Sequence, residues 1–230
     1  MRIWDVHPGY LNRDSLLGEH RELHGIAAIL SQGLKGYAAH PETRRWAGLG
    51  WALRQRHRLL AAEMAFRGYR DRTPVRLRSQ PGRWPERFLD PPGRQFGLLA
   101  EKYRDREPGR IPLPRTSHEL WAQHKYSVLA RSQTVYRDLG RRVADLRGRH
   151  GYDELALELA NLLREAPDPG NLRNAVQHLW GYFDFRSSGR SAEPASLRRA
   201  LGTVQRRSRK EPEPYLLAQT ALTELAAWLV

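Results

Sequence analysis

The run Ser15-Leu16-Leu17-Gly18-Glu19-His20-Arg21-Glu22-Leu23-His24-Gly25-Ile26 decides the fold class. Leu16, Leu23, Ile26 and Leu30 return to one face at helical spacing. Asn12 or Asp14 can cap the start, so the spacing predicts a helix to about Ser31. Glu19 and Glu22, three residues apart, share a neighbouring face of that helix. The same period recurs downstream. Pro41 suits the first turn of a second helix, which Trp46, Leu49, Leu53, Leu60 and Met64 carry to about Arg67. Gly48 and Gly50 weaken its early part and predict a break, and Gly68 is a suitable stop.

Residues 70–115 hold eight prolines, which defeats a continuous helix. The stretch reads as a wrapping linker with one short helix near Gln95–Arg104. Its Trp84, Phe88, Phe96 and Tyr103 argue against a disordered tether. Thr116-Ser117-His118-Glu119 is a capping box opening a helix through Ala130. Further helices are expected at about 133–148, 154–165, 171–185, 194–208 and 213–228. No strand-like alternation of any length occurs, so the chain reads as all-α. Three parts are expected: a first domain over 1–78, a Pro-rich linker over 79–115 and a second helical domain over 116–230.

The 230 residues carry a formal net charge of +14 and a pI near 10.8. All but Lys35, Lys102, Lys125 and Lys210 of the 39 basic residues are arginine. Arginine binds phosphate bidentately and stacks on bases, and the charge is spread along the whole chain. Nucleic acid is the partner this implies, DNA or RNA. The absence of cysteine excludes disulfides, thiolate zinc sites and iron–sulfur clusters. No apolar run approaches the roughly 20 residues of a membrane span, and Asp5, His7 and Pro8 interrupt any signal-peptide character. A cytoplasmic protein that touches no membrane is expected.

The segment Met1-Arg2-Ile3-Trp4 lies a few residues before the helix that carries the two glutamates. An α-amino group has an ordinary pKa of roughly 7.7–8.0, against about 10.4 for lysine, so at neutral pH part of it is ready to attack. An amine attacking a sugar carbon, with a carboxylate nearby to manage protons and cation, is the chemistry of a Schiff-base glycosylase. Arg2 is large, and initiator methionine is removed mainly before small residues, so Met1 is expected to be retained.

These residues resemble the pyrimidine dimer DNA glycosylases of the phage endonuclease V type. The resemblance runs through Arg2-Ile3, Glu19-His20-Arg21-Glu22-Leu23, Gly36-Tyr37, His40-Pro41-Glu42 and Arg67-Gly68-Tyr69, about a third of the chain. It implies that the terminal amine of Met1 is the nucleophile and Glu22 the essential carboxylate. It further implies that Arg21 contacts DNA and that the enzyme removes a base from an ultraviolet-induced dimer and cleaves the strand as a lyase. The family's arginine after the Arg-Glu-Leu run falls on Gly25.

Around this core, Arg2, His20, Glu19, Arg44 and Arg45 are expected to face nucleic acid, with Lys125 doing so in the second domain. Glu19 can instead pair with Arg21 or His24. His20 and His24 stand at i, i+4, as metal ligands do. Their order is His-x-Glu-x-His, however, and no third ligand is evident. No metal and no cofactor are therefore expected, and His20 reads as a contact to a phosphate or base.

The second half resembles the YbgA-type helical domain. The matching residues are His124-Lys125-Tyr126, Tyr136-x-x-Leu139-Gly140, Asn174-x-x-Gln177-His178-x-x-Gly181-Tyr182-Phe183 and Tyr215-Leu216-x-x-Gln219. Such domains also occur fused to enzymes acting on thiolated RNA bases, so the resemblance implies nucleic-acid binding without supplying a reaction. Two other functions stay open: a glycosylase acting on another lesion or on modified RNA, and a non-enzymatic nucleic-acid adaptor.

Overall fold

The computed structural model describes residues 1–184 and 196–229. It divides into two compact units, Met1–Gly109 and Arg110–Val230. Both are built of helices, and no strand occurs among the described residues.

In the first unit, α1 (Arg13–Gln32) starts at Asn12, whose side chain accepts from the Ser15 amide at 2.9 Å. It ends at Gly33, whose left-handed φ of 65° suits a residue without a Cβ. Leu16, Leu23 and Ile26, all fully buried, face α3 (Gly50–Phe66). The short α2 (Pro41–Trp46) precedes the break at residues 47–49 that the glycines foretold. Gly50 is required there. A Cβ on it would stand 2.7 Å from Leu77 Cβ, because the chain returning through Ser79 bonds the Gly50 and Trp51 amides.

The segment before α1 belongs to the core. Ile3, Trp4, Val6, Tyr10 and Leu11 are buried, and Pro8–Tyr10 form a 3-10 turn. Burying one such side chain contributes about 1.5–3 kcal/mol, so the amino-terminal strip is firmly seated.

Most of the Pro-rich stretch also belongs to this unit. Trp84 packs edge-on against Trp46 and Trp51, with centroids at 6.4 Å and 6.0 Å. The short helix expected near Gln95 is α4 (Pro92–Lys102). Its Phe96 meets Tyr10 edge to face at 4.9 Å, and Tyr103 accepts from the Asn12 amide at 3.1 Å. Residues 79–109 thus complete the first unit, while 110–115 open the second.

The second unit contains α5 (Ser117–Leu129), α6 (Gln133–Ala144), α7 (Tyr152–Leu162), α8 (Pro169–Asp184), α9 (Leu197–Lys210), α10 (Pro214–Leu217) and α11 (Ala221–Glu224). Thr116 caps α5 by accepting from the Glu119 amide, while the Glu119 carboxylate accepts from the Arg115 amide, one residue before the cap. The central helix α5 packs on α6, α7 and α8. The single helix expected over 213–228 is instead α10, α11 and a 3-10 turn. The cause is Thr220, whose amide leaves the helical ladder to bond the Gln123 carbonyl of α5 at 2.9 Å. The start expected for the preceding helix, at 194, lies outside the described residues.

Candidate active site around the amino terminus

Three arginines on or just after α2 and α3 reach back to the carbonyls of the amino-terminal strip. Arg45 donates to Ile3 O at 3.1 Å, Arg56 to Val6 O at 2.9 Å and Arg67 to Gly9 O at 3.2 Å. Each is held in place by carboxylates. Arg45 bonds Asp5 and Glu42, Arg56 grips Glu19 through Nε at 2.7 Å and Nη2 at 3.0 Å, and Arg67 bonds Glu63. Gln95 of α4 fixes the strip from another side, accepting from the Asp5 amide at 2.8 Å. A strip that offers carbonyls to buried guanidiniums has little freedom to slide, and this positions its first residue.

That residue sits at the partly exposed face of α1. The Met1 amine lies 4.0 Å from Glu22 Oε1, and the next amide, of Arg2, donates to Glu22 Oε2. The Glu22 side chain remains 40% exposed, so a ligand can reach it. Arg2 ion-pairs with Asp90 at 2.9 Å and lies over the Trp4 ring at 4.1 Å. Glu22 thereby touches both the amine and the adjacent backbone amide, which is the arrangement needed to steer protons at that nitrogen.

Two expected nucleic-acid contacts belong to the interior instead. Glu19 is 2% exposed and carries the bidentate Arg56 pair. Burial pushes its carboxyl up to about 7, even against the downward pull of Arg56. Removing one partner of such a pair costs about 3–5 kcal/mol, because the other charge is left buried. Arg45, with a side chain 5% exposed, is likewise committed to Asp5 and Glu42. A sequence shows only that these residues are charged, and their partners lie 37 and 40 positions away. Arg21 and Arg44 are exposed, and neither forms an ion pair among the described residues. On α3, Arg54 stands near Arg58 and Arg78; burial and these like charges lower its pKa. An anion laid across them relieves that repulsion.

His20 also turns inward, on the side of α1 away from Glu22. It meets His24, His57 of α3 and Asp71 of the following loop. The three imidazole centroids are 4.6, 5.2 and 4.9 Å apart. Asp71 oxygens lie 3.4 Å from His20 Nε2 and 3.5 Å from His57 Nε2. Thr73 steadies the carboxylate through its amide and hydroxyl, both at 3.0 Å, and its hydroxyl lies 3.1 Å from His24 Nε2. Burial pushes His57 down to about 4, against the pull of Asp71. His57 and Asp71 were missed in the sequence. Their only trace there is a buried-face histidine on a helix and an aspartate just past its end.

In the second unit Lys125 is half-buried over the rings of Tyr126 and Tyr215, at 5.1 Å and 5.4 Å. Tyr126 stacks on His178, and Tyr182 on Tyr215. Separated sequence motifs thus converge on one cationic, aromatic patch. His124, by contrast, is 5% exposed, with Nδ1 2.8 Å from Leu120 O. Burial pushes its pKa down to about 4, partly opposed by that carbonyl. An unfolded histidine titrates near 6.5. Between those values the folded chain binds fewer protons than the unfolded chain. His124's contribution is therefore complete above pH 6.5 and is lost as pH falls toward 4. At about 1.4 kcal/mol per unit, up to about 3 kcal/mol is involved. Amide exchange in α5 is expected to be faster-opening at pH 5 than at pH 7, after correction for intrinsic rates. His124→Gln should flatten that difference, and an unchanged slope would assign it elsewhere.

The comparisons with known proteins concern these same two regions. Residues 1–77 match the family model for pyrimidine dimer DNA glycosylase. That span contains Met1, Glu22, the three strip-holding arginines and the histidine cluster. Residues 125–208 match a second family model, described as a protein of unknown function, DUF1722. No curated protein and no solved structure matches the chain. The amino-terminal region is therefore related to a DNA glycosylase family, and the carboxy-terminal region to a family whose description assigns no activity. Among the described residues, no helix is long and apolar enough to cross a membrane.

Proposed function

We propose that the first unit is a DNA glycosylase with associated lyase activity, acting on ultraviolet-induced pyrimidine dimers through the Met1 amine. The observation that carries this reading is the Met1 nitrogen 4.0 Å from Glu22 Oε1 within a region matching the glycosylase family. The unprotonated amine attacks C1′ of the damaged nucleotide, the bond to the base breaks, and the base leaves with a proton. The nitrogen lone pair then displaces O4′, which takes a proton from water, and an iminium forms with the opened sugar. Glu22 stabilises that cation and takes the C2′ proton, so that the 3′ phosphate leaves by β-elimination. Water releases the sugar remnant and frees the amine.

Arg21, Arg44 and the Arg54–Arg58–Arg78 group serve backbone phosphates, which position a duplex without reading sequence. Opening the lesion costs a few kcal/mol of unstacking, which damage lowers. The Lys125–Tyr126–Tyr215 patch gives the second unit a stacking and phosphate surface of its own. No reaction is assigned to that unit.

Borohydride trapping tests the proposal. Irradiated duplex DNA is expected to give a covalent complex with the protein, and unirradiated duplex none. Trapping on RNA alone would favour the modified-RNA reading. Salt-sensitive binding to both without any trapping would favour an adaptor.

A further inference from the structure

We propose that His20, His24, His57 and Asp71 form a zinc site that locks α1 to α3 and to the loop after it. Nothing in the proposed reaction uses these residues. One ligand atom from each lies within 4.8 Å of the others. In tetrahedral zinc sites, with bonds of about 2.0–2.2 Å, donor atoms stand about 3.4 Å apart. One of the distances here, His20 Nε2 to Asp71 Oδ1 at 3.4 Å, already matches that spacing, and His57 Nε2 stands 3.5 Å from the other carboxylate oxygen. Closing the remainder needs movements of about 1 Å.

The second observation is the state of the nitrogens. The Nε2 atoms of His20 and His57 are buried and form no hydrogen bond. A buried polar atom without a partner costs about 1–3 kcal/mol, so two of them aimed at one point call for an explanation. Three imidazoles converging on a carboxylate supply lone pairs that a cation would satisfy together. Three nitrogens and one oxygen suit zinc better than magnesium or calcium, which prefer all-oxygen sites. Asp71 is steadied by the Thr73 amide and hydroxyl, the kind of outer support that ligating carboxylates have.

Four protein ligands leave no open position, which marks a structural rather than a catalytic metal. Its placement agrees. At 100° per residue, His20 and His24 lie on the side of α1 roughly opposite Glu22. The site ties together residues spread from 20 to 71, so the metal would fix the helix that presents Glu22 from behind.

The test uses the full chain and needs no activity. Protein treated with a chelator is titrated with zinc, followed by calorimetry and thermal melting. One equivalent of zinc is expected to bind and to raise the melting temperature. Cobalt in its place is expected to give the intense visible bands of a tetrahedral site. His24→Gln and Asp71→Asn, at the half-exposed positions, should keep their helical circular dichroism. Each should weaken zinc by more than about 100-fold, the upper range for losing only an outer-shell group. His178→Gln should leave binding unchanged. Two results would overturn the site: no stoichiometric zinc uptake by folded, chelator-treated protein, or uptake unaffected by both ligand substitutions. Borohydride trapping, measured separately, reports on the glycosylase proposal alone.

Discussion

Blocking the amino group of Met1 is expected to reduce covalent trapping on irradiated DNA to background while leaving helix content and DNA binding nearly intact. Acetylation removes the lone pair that must attack C1′. An uncleaved tag removes the free amine and also pushes the chain away from Glu22, which holds the neighbouring Arg2 amide. Neither change touches the arginines that seat the strip, because these grip Ile3, Val6 and Gly9 carbonyls further along. The fold should therefore survive. A tagged form that traps and cuts as well as the untagged form would make a lysine the nucleophile. Lys35, the one lysine among the first 100 residues, would then be first in line.

Glu22→Gln should lower strand cleavage by about 10²- to 10⁴-fold, the usual contribution of a positioned acid–base group. Its stability should hardly change, since the Glu22 side chain is 40% exposed and an amide can still accept from Arg2. Glu19→Gln should show the opposite pattern. There the loss falls on stability, because Arg56 would be left buried with its carboxylate partner gone. Measuring urea midpoints and single-turnover cleavage on both variants separates the roles. Near-normal turnover by Glu22→Gln would remove it from the mechanism.

This contrast marks the boundary of what the sequence made legible. The starts of α1 and α5 were readable because their caps are local: Asn12 and Thr116 each accept from the amide three residues on. The helix expected over about 133–148 ends earlier, at Ala144. Glu22 was readable through the Arg-Glu-Leu run. Glu19 and Arg45 were not, since a charged residue reads the same whether solvated or paired, and the partners Arg56 of α3 and Asp5 of the amino-terminal strip are distant in sequence. The break at Thr220 depends on its amide and hydroxyl, which both bond the Gln123 carbonyl 97 residues earlier. The histidine cluster hid for the same reason. His20 and His24 were visible as a pair, but His57 and Asp71 join them only when α3 and its following loop fold back on α1. The membership of the Pro-rich stretch in the first unit rested on Gln95, Phe96 and Trp84 finding partners before residue 52, which no local pattern shows.

If a backbone amine performs the chemistry, the trapped sugar remnant must sit on it, and the adduct can be located. Borohydride-trapped complex would be digested with nuclease and protease, and the modified peptide sequenced by tandem mass spectrometry. The reduced sugar remnant is expected on the α-nitrogen of Met1, in the peptide beginning Met1-Arg2-Ile3-Trp4. An adduct on Lys35 or any other lysine, with the Met1 amine unmodified, would contradict it.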